Sequence, residues 1–346
     1  MPVKTIRVND YRNYSRAFFE FDPQLNIIVG KNGSGKTNIL ESIIVISNTK
    51  SYRSSNDSDL IRKGADYARI TLNTEDKEYK VVINRKNKSL YIDDRLVRKS
   101  SEFIGKINAI LFKPDDLELF TGSPSERRKL LDIEISKVSK EYIRCLLHYN
   151  SLLKDKNKIL KQLEPDEVLL NVIDESMAPM IRVIIREREK FFTCINTYIS
   201  EYYQKISNQN TEISITYKKC SEIIDVEDKL KDFKERDNYY HYAVFGPHHD
   251  DYSFSMNGYN LNSIASQGQK RMVLIAFKFA LMNYIKLVSG KTPIILLDDI
   301  LSELDIENRE RLLNILPEDT QVIITDTDIR DLKIKKHYKL IQLKEE

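Results

Sequence analysis

Residues 25–37 read Leu-Asn-Ile-Ile-Val-Gly-Lys-Asn-Gly-Ser-Gly-Lys-Thr, an apolar run followed by a glycine-rich turn. The spacing Gly-x-x-x-x-Gly-Lys-Thr, from Gly30 to Thr37, predicts a phosphate-binding loop between a buried strand and a helix. Glycine permits backbone angles that a Cβ would forbid, so successive N–H groups can point at phosphate oxygens. The following helix adds the positive end of its dipole. The segment therefore predicts a site for ATP or GTP.

The loop supplies eight candidate nucleotide contacts. They are Gly30, Lys31, Asn32, Gly33, Ser34, Gly35, Lys36 and Thr37. Lys36 is expected to reach the β and γ phosphates, and Thr37 to place its hydroxyl on Mg²⁺. ATP and Mg²⁺ are thus the expected ligands. The alternative is a glycine-rich turn without a ligand, which the apolar strand and helix on either side make less favourable.

A second apolar run, residues 293–297, precedes two adjacent carboxylates and suits a strand buried on both faces of a parallel sheet. In open α/β sheets, ligands bind at the carboxyl ends of the strands. Asp298 is therefore expected to hold Mg²⁺ through water, and Asp299 to accept a proton from the water that attacks the γ phosphate. Alternatively, Asp299 caps the short helix that follows.

A third motif lies between these two, immediately before an apolar, mostly buried helix. Its residues are Ser266, Gln267, Gly268 and Gln269. A serine N-cap, a glycine and free N–H groups at a helix start can bind an anion. One chain has no obvious second phosphate for this clamp, so it is expected to close on the nucleotide of a second copy, as in ABC-type ATPases. The alternative is an ordinary capped helix without a ligand.

The order of these motifs resembles the ABC-type heads of chromosome-maintenance and DNA-repair ATPases, and within that group the RecF family. Further matching stretches are residues 11–14, 35–41, 112–117, 122–128, 246–251 and 297–305. The resemblance implies an α/β fold, namely an ABC-type P-loop ATPase head with a mixed sheet plus an inserted, mostly helical arm. It also implies a D-loop role for Asp305.

The same resemblance implies an ATP-dependent homodimer that binds double-stranded DNA and gap junctions. Its weak, DNA-stimulated ATPase would act as a dimerisation switch at single-strand gaps or stalled forks, where it would promote RecA assembly with RecO and RecR. An ABC-type ATPase subunit of another machine, a transporter or a nuclease, is the alternative. A transporter subunit usually has a histidine just after the last core strand, where this chain has Asp326.

The pattern along the chain predicts a discontinuous head, residues 1–123 and 241–346, interrupted by an arm at residues 124–240. Short strands are expected at three places within the first part of the head. They are residues 68–72, 79–83 and 89–92.

The arm opens with Ser123-Pro-Ser-Glu126, a helix-start signal that combines an N-cap serine, a proline and a glutamate. A single helix from Pro124 to about Gln162 would reach nearly 60 Å at about 1.5 Å per residue. Further along the arm, Pro165 and Pro179 are expected to break or kink the helical sequence.

Composition bounds the partners and the compartment. Lys and Arg number 55 against 52 Asp and Glu, so a nucleic-acid surface requires local segregation of charge. Cys145, Cys194 and Cys220 are isolated, which argues against structural zinc and disulfides and favours a reducing cytoplasm. No stretch is expected to approach the roughly 20 apolar residues of a membrane span.

Five basic residues are candidates for DNA contact. They are Arg85, Lys86 and Lys88 at a predicted hairpin turn, and Arg127 and Arg128 at the start of the arm. Contacts of this kind would be made to phosphate and would therefore depend on salt and be largely blind to sequence. The alternative is a solvated charged edge without a ligand.

Overall fold

The computed structural model describes residues 2–328 and 336–343, which form two compact units. The first comprises residues 2–117 and 201–210 with the described residues from 267 onwards, and the second comprises residues 118–200 and 211–266. The second unit starts before the predicted arm and extends beyond it. The domain boundaries at 124 and 240 therefore remain a prediction.

The elements are numbered in chain order. The strands are β1 Thr5–Tyr11, β2 Tyr14–Glu20, β3 Leu25–Val29, β4 Tyr67–Asn73, β5 Glu78–Asn84, β6 Lys88–Ile92, β7 Arg95–Val97, β8 Ala109–Phe112, β9 Ile213–Lys218, β10 Asp251–Met256, β11 Tyr259–Asn260, β12 Ile294–Asp298, β13 Val322–Asp326 and β14 Lys339–Gln342. The helices are α1 Lys36–Asn48, α2 Ser100–Phe103, α3 Glu118–Thr121, α4 Pro124–Val138, α5 Lys140–Leu160, α6 Glu167–Ser207, α7 Val226–Asp232, α8 Lys234–Tyr240, α9 Leu261–Ile264, α10 Gln267–Ser289 and α11 Ile306–Ile315.

An antiparallel sheet in the first unit has the strand order β2-β1-β4-β5-β6-β7. The three short strands predicted from the sequence are its β4, β5 and β6. Burial alternates along β5, where Tyr79, Val81 and Ile83 are buried and their neighbours are more exposed. This alternation is expected where one face of a sheet covers the core and the other faces away from it.

A parallel sheet in the same unit has the order β14-β3-β13-β12-β8. All residues of β3, β12 and β13 are buried, as expected for strands covered on both faces. The register pairs Val29 with Asp326 and Asp298 with Thr325, so the phosphate loop and the carboxylates follow their strands at one edge. The predicted α/β class is confirmed, with the expected mixed sheet divided into an antiparallel and a parallel sheet.

Helix α10 packs into the first unit and is apolar nearly all round. By length and composition it could cross a membrane, but 72% of its apolar window is buried inside the protein. The expectation that no stretch approaches membrane-span length was therefore wrong for this helix. Residues such as Phe279 and Leu281 are fully buried, and a helix that is apolar on every side is also what a protein core requires.

The helix start predicted at residues 123–126 is confirmed, because Ser123 and Glu126 form a capping box on α4. The single helix expected up to Gln162 was wrong, since α4 ends at Val138. Between α4 and α5, Ser139 has an extended backbone, and its Oγ accepts a hydrogen bond of 3.2 Å from the N–H of Tyr142. A serine cap thus starts a new helix there.

The prolines downstream differ in effect. Pro165 lies in the connection between α5 and α6, as predicted. In contrast, α6 continues through Pro179 to Ser207. The second unit also contains a three-stranded antiparallel sheet, in the order β11-β10-β9.

Candidate functional site

The phosphate loop occupies residues 30–35, between β3 and α1. Gly33 and Gly35 have φ of +85° and +97°, in the left-handed region that favours glycine. At Gly35 an added Cβ would lie 2.3 Å from the hydroxyl oxygen of Tyr14. Gly35 is also the N-cap of α1, where no side chain caps the helix. The first N–H groups of α1 are therefore placed to bind an anion.

Lys36 is buried at the start of α1. Its Nζ donates hydrogen bonds to the carbonyl oxygens of Gly30 at 2.5 Å and Lys31 at 3.1 Å. Burial lowers the pKa of the Lys36 ammonium, and three nearby carboxylates oppose that shift. The carboxylates are those of Asp299, Asp326 and Asp298. The structure therefore brings one ammonium and three acidic groups from distant parts of the chain to the same edge of the sheet.

Ser34 adds a polar group to the loop. Its Oγ is buried and has no hydrogen-bond partner among the described residues. A buried hydroxyl costs stability unless it meets an acceptor. A phosphate oxygen is an acceptor of the required kind, so the loop fits a nucleotide.

Asp298 is buried and is held by three hydroxyl groups. Thr37 and Thr325 donate to its Oδ1 at 3.0 and 2.9 Å, and Tyr52 donates to its Oδ2 at 3.2 Å. Thr37 and Asp298 are the two residues predicted to serve Mg²⁺, and the structure places them in direct contact. The sequence reasoning missed Thr325 and Tyr52. Like Asp298, Thr325 stands at the end of an apolar run, and that position is the sequence signal that could have identified Thr325 as a site residue.

Asp299 follows Asp298 in the left-handed region, with φ +54°. Its N–H donates to Thr325 Oγ1 at 3.1 Å, which holds this uncommon conformation. The 3-10 turn Leu301–Glu303 has Ile300 at its N-cap position. Ile300 therefore occupies the capping position that the alternative hypothesis assigned to Asp299.

The start of α10 lies beside the segment that contains Asp305. A cleft of about 330 Å³ in the first unit is lined by Gly268 and Gln269 and by Leu304, Asp305 and Asn308. Asp305 also caps α11, where its Oδ1 accepts from the N–H of Asn308 at 2.8 Å. Among the described residues that line this cleft, none belongs to the phosphate loop.

The matching stretch at residues 11–14 serves the helix of the phosphate loop. Glu41 on α1 is fully buried and forms a bidentate ion pair with Arg12, at 2.5 and 2.8 Å. The hydroxyls of Tyr11 and Ser51 donate to the same carboxylate at 3.0 and 2.6 Å. A buried carboxylate is tolerated when it is paired and hydrogen-bonded in this way. The motif therefore anchors α1 to the antiparallel sheet.

The basic residues of the β5–β6 hairpin differ in their surroundings. Arg85 and Lys86 are exposed at the turn. Lys88 is instead engaged, because its Nζ donates to Asp57 at 2.7 Å and to the Thr49 carbonyl at 2.5 Å. The basic pattern did not reveal these partners. Of the three hairpin candidates for DNA contact, the structure leaves Arg85 and Lys86 exposed.

The two arginines at the start of α4 also have internal partners. Arg127 binds both carboxylate oxygens of Asp251, at 2.7 and 2.9 Å, and Arg128 donates to the carbonyl of Asp250 at 2.9 Å. Both side chains thus tie α4 to the segment that leads into β10. The expectation that they contact DNA does not account for these bonds.

The stretch at residues 246–251 is structural in the second unit. Asp250 is buried and pairs at 2.6 Å with Arg188, which also pairs with Asp132 at 2.8 Å. The N–H of Cys220 donates to Asp250 Oδ1 at 2.8 Å. Burial also lowers the pKa of His248 to about 4, so this ring is neutral at physiological pH. The stretch therefore joins strands and helices of this unit through buried polar contacts.

The chain is similar to known proteins along nearly its whole length. Over residues 2–345 the chain matches the family described as the RecF/RecN/SMC N terminal domain. A DNA replication and repair protein RecF from Lactobacillus delbrueckii subsp. bulgaricus is 35% identical, over 95% of this chain and 91% of that protein. The protein of that name from Lachnoclostridium phytofermentans is 34% identical, over 99% and 98%.

Solved structures give the same result. A structure of the recombination mediator protein RecF-ATP in the RecFOR pathway has a TM-score of 0.88 at 30% identity, covering 96% of this chain and 93% of that one. An Smc head domain from Pyrococcus furiosus has a TM-score of 0.55 at 18% identity, covering 94% and 90%. The second likeness concerns the fold alone. Together they confirm the predicted ABC-type ATPase head.

Proposed function

The chain belongs to the RecF family of DNA replication and repair proteins, and we propose that it is an ATP-dependent, DNA-binding recombination mediator. Two copies with bound ATP close on DNA, and hydrolysis reopens them. The ATPase is weak, is stimulated by DNA and serves as a dimerisation switch. A transporter or nuclease subunit is less well supported, since the relatives named above match along nearly the whole chain.

The observation that carries the proposal is the hydrogen bond between Thr37 and Asp298. It is 3.0 Å long, and the two residues are 261 positions apart in the chain. It joins the phosphate loop to the acidic end of β12, as a nucleotide site requires. Phosphates bind the N–H groups of residues 30–35, the start of α1 and the ammonium of Lys36. Ser34 Oγ donates to a phosphate oxygen.

The Thr37 hydroxyl and the Asp298 carboxylate are oxygen groups suited to Mg²⁺. Among the described residues, no three acidic, histidine or cysteine side chains form a metal cluster. Nucleotide sites need few protein ligands, because phosphates and water supply the rest. When bound, Mg²⁺ neutralises charge on the β and γ phosphates. Asp299 orients the attacking water and accepts its proton.

The clamp at residues 266–269 acts on the nucleotide of a second copy, and Asp305 belongs to the same seam. This is supported by the shared cleft of Gly268, Gln269 and Asp305, whose described lining contains no phosphate-loop residue. Closure therefore requires ATP in one copy and the clamp of another. Dimerisation of the protein therefore depends on whether ATP is bound.

Double-stranded DNA and gap junctions are the proposed substrates, with Arg85 and Lys86 among the phosphate contacts. We assign the protein to the cytoplasm, at single-strand gaps and stalled forks, where it acts with RecO and RecR to promote RecA assembly. The relatives' names and the RecFOR structure support this role.

The test is the mass of the protein by light scattering, with and without ATP and duplex DNA. Unmodified protein should double in mass only with ATP, and Lys36→Met should remain monomeric because one phosphate contact is lost. Lys205→Met, at an exposed lysine of α6, is the matched control, and thermal unfolding checks that each variant is folded. Equal ATP-dependent dimerisation by Lys36→Met and unmodified protein would contradict the proposal.

A further inference from the structure

The antiparallel sheet of the first unit has one covered face and one exposed face. Successive side chains of a strand point to opposite faces. Arg7 of β1 and Arg69 of β4 are exposed, whereas the residues on either side of each arginine are buried. These buried neighbours are Ile6, Val8, Ala68 and Ile70. Both arginines therefore lie on the face that points away from the core.

The pairing of the strands extends this exposed face over β2, β1 and β4. Arg7 pairs directly with Phe18 of β2. Asn9 pairs with Arg16 of β2 and with Arg69 of β4. Directly paired residues share a face, and so do residues two positions apart in one strand. We call the exposed basic and aromatic side chains placed together in this way the arginine–aromatic face. They are Arg7, Arg16, Phe18, Tyr67 and Arg69.

Each aromatic ring of this face lies beside a guanidinium group. Arg7 Cζ is 5.5 Å from the ring centre of Phe18, and Arg69 Cζ is 5.8 Å from that of Tyr67. Phe18 and Tyr67 are nevertheless 49% and 45% exposed. Exposed aromatic rings and guanidinium planes are the surfaces on which proteins stack the bases of unpaired strands.

The arginines of this face have no acidic partner in the described part of the chain. Within residues 2–328 and 336–343, the guanidinium groups of Arg7, Arg16 and Arg69 form neither an ion pair nor a hydrogen bond. The face therefore combines three uncompensated positive charges with two exposed rings. Such a local concentration of positive charge attracts a polyanion.

A third contact of the same kind marks the limit of this surface. Lys80 Nζ lies 6.0 Å from the ring centre of Tyr91. This ammonium is already paired, with Asp94 at 2.5 Å and with Glu78 at 3.1 Å. The positive charge available to a ligand is therefore concentrated on β2, β1 and β4.

The combination of charge and rings decides the class of ligand. In duplex DNA the bases stack on one another, so the rings of Phe18 and Tyr67 would meet no base face. An acidic protein segment would engage the arginines and leave the rings unused. A single strand of nucleic acid offers phosphates to the arginines and unstacked bases to the rings.

The neighbouring hairpin supports the same assignment. Tyr67 pairs directly with Asn84 of β5, and Asn84 immediately precedes Arg85 and Lys86, the proposed duplex contacts. A gap junction presents a duplex and a single strand side by side. The two neighbouring surfaces match these two parts.

We propose that the arginine–aromatic face binds single-stranded nucleic acid, with phosphates on its arginines and bases stacked on Phe18 and Tyr67. The inference rests on the proposed function in DNA binding. It assigns the single strand of a gap junction to this face and the duplex to the β5–β6 turn. Binding is largely blind to sequence, because every base has a flat ring. It does not require ATP, because the face belongs to one chain.

The test compares two fluorescein-labelled strands of equal length, oligo(dT) and a fully abasic strand that has the same phosphates. Fluorescence anisotropy with the full chain, without nucleotide, measures both affinities. Oligo(dT) should bind on the order of tenfold more tightly, because only this strand can stack on the rings. Equal affinities would show that the surface binds phosphate alone and would overturn the proposal.

A ring variant locates the stacking. Phe18→Ile with Tyr67→Ile removes both flat rings, and isoleucine suits an exposed strand. Thermal unfolding checks that the variant is folded. Its affinity for oligo(dT) should fall to that for the abasic strand, and its affinity for the abasic strand should not change. Tyr239→Ile with Tyr259→Ile, at exposed tyrosines of the second unit, is the control. Equal losses in the two variants, or no loss in the first, would reject this face as the stacking site.

An arginine variant tests the phosphate contacts separately. Arg7→Gln with Arg69→Gln should weaken both strands and lower the slope of log affinity against log salt by about 0.7 per lost contact. Lys229→Gln with Lys231→Gln on α7 removes the same charge and should leave both slopes unchanged. An unchanged slope in the arginine variant would remove these arginines from the site.

Duplex binding and ATP-dependent dimerisation separate this inference from the proposed function. The ring variant should retain both, because neither uses the faces of unstacked bases. Loss of oligo(dT) binding by the unmodified protein, with duplex binding intact, would overturn this inference alone. Absence of binding to either kind of DNA would contradict the proposed function itself.

Discussion

The two oxygens of Asp298 are held by different parts of the chain. Oδ1 accepts from Thr37 and Thr325, and Oδ2 accepts from Tyr52. Hydrogen bonds to a metal-binding carboxylate fix its orientation, and removing them commonly weakens metal binding. Tyr52 is therefore a positioning residue in the proposed site, acting through Asp298.

Tyr52→Phe tests this role, because it removes the hydroxyl and keeps the ring over which Lys113 Nζ lies at 5.9 Å. The Mg²⁺ concentration needed for half-maximal thermal stabilisation by ATP should rise on the order of tenfold. Stabilisation by ATP in EDTA should not change. Tyr67→Phe, at an exposed tyrosine of β4, is the control, and an identical Mg²⁺ dependence in both variants would assign Tyr52 to packing alone.

Asp299 is the second residue whose role can be separated from structure. Asp299→Asn preserves shape, and asparagine tolerates the left-handed backbone found there. The variant should bind ATP and accumulate as a closed dimer, with turnover lower by about 10²–10⁴-fold because an amide cannot accept the proton. Phosphate release and light scattering measure the two effects. Normal turnover would return Asp299 to a structural role.

At the scale of elements, the parallel sheet gathers the site because β3, β12 and β13 run in the same direction. Their carboxyl ends meet at one edge, which places Lys36 near three carboxylates. The antiparallel sheet contributes instead through α1, which Arg12 and Glu41 anchor. Each sheet therefore has a distinct task in building the nucleotide site.

The β5–β6 hairpin is the element to test for DNA binding. Its turn is held by Asn84, whose Oδ1 accepts from the N–H groups of Lys86 and Asn87, so changing side chains at the turn leaves that support in place. Neutralising Arg85 and Lys86 together should weaken duplex binding and reduce the slope of log affinity against log salt by about 0.9 per lost phosphate contact.

The control for the hairpin is a second pair of surface lysines with the same change in charge. Lys229→Ala with Lys231→Ala on α7 removes two positive charges from the other unit, at side chains that are 44% and 72% exposed. Binding and salt slope are measured by fluorescence anisotropy at several salt concentrations. An unchanged slope in the hairpin variant would move the DNA surface elsewhere.

At the scale of the whole molecule, the proposed active site belongs to two chains. Ser266→Arg should leave ATP binding by the monomer intact, because residues 30–37 are unchanged, yet prevent closure by adding bulk at the seam. Mixed with Lys36→Met protein, it should form hybrid dimers with one intact composite site. Because neither variant closes with itself, the dimers that form are hybrids with one intact site of two, so ATPase activity should recover to at most about half of that of unmodified protein.

This mixing experiment has a clear opposite outcome. If Ser266→Arg alone dimerises and hydrolyses ATP as unmodified protein does, the clamp does not act in trans. Recovery near zero in the mixture would instead mean that both sites must be filled before either one acts.

The sequence by itself determined the features that depend on neighbouring residues. The phosphate loop needs glycines at fixed spacing, β12 needs a continuous apolar run before Asp298, and α4 needs the cap that Ser123 and Glu126 form. Such signals act within a few residues, through backbone angles and local hydrogen bonds. The long motif order was sufficient to indicate the ATPase head.

Only the tertiary structure decided which distant groups meet. Tyr52 and Thr325 reach Asp298 across the first unit, and Lys88 and Arg127 pair internally although their pattern suggested a DNA surface. The spacing of residues in the sequence does not predict these contacts, because they depend on how separate elements pack. The break at Ser139 was not predicted from the sequence either, because the helical pattern continues on both sides of it. The hydrogen bond by which Ser139 caps α5 forms only where α5 begins as a separate helix.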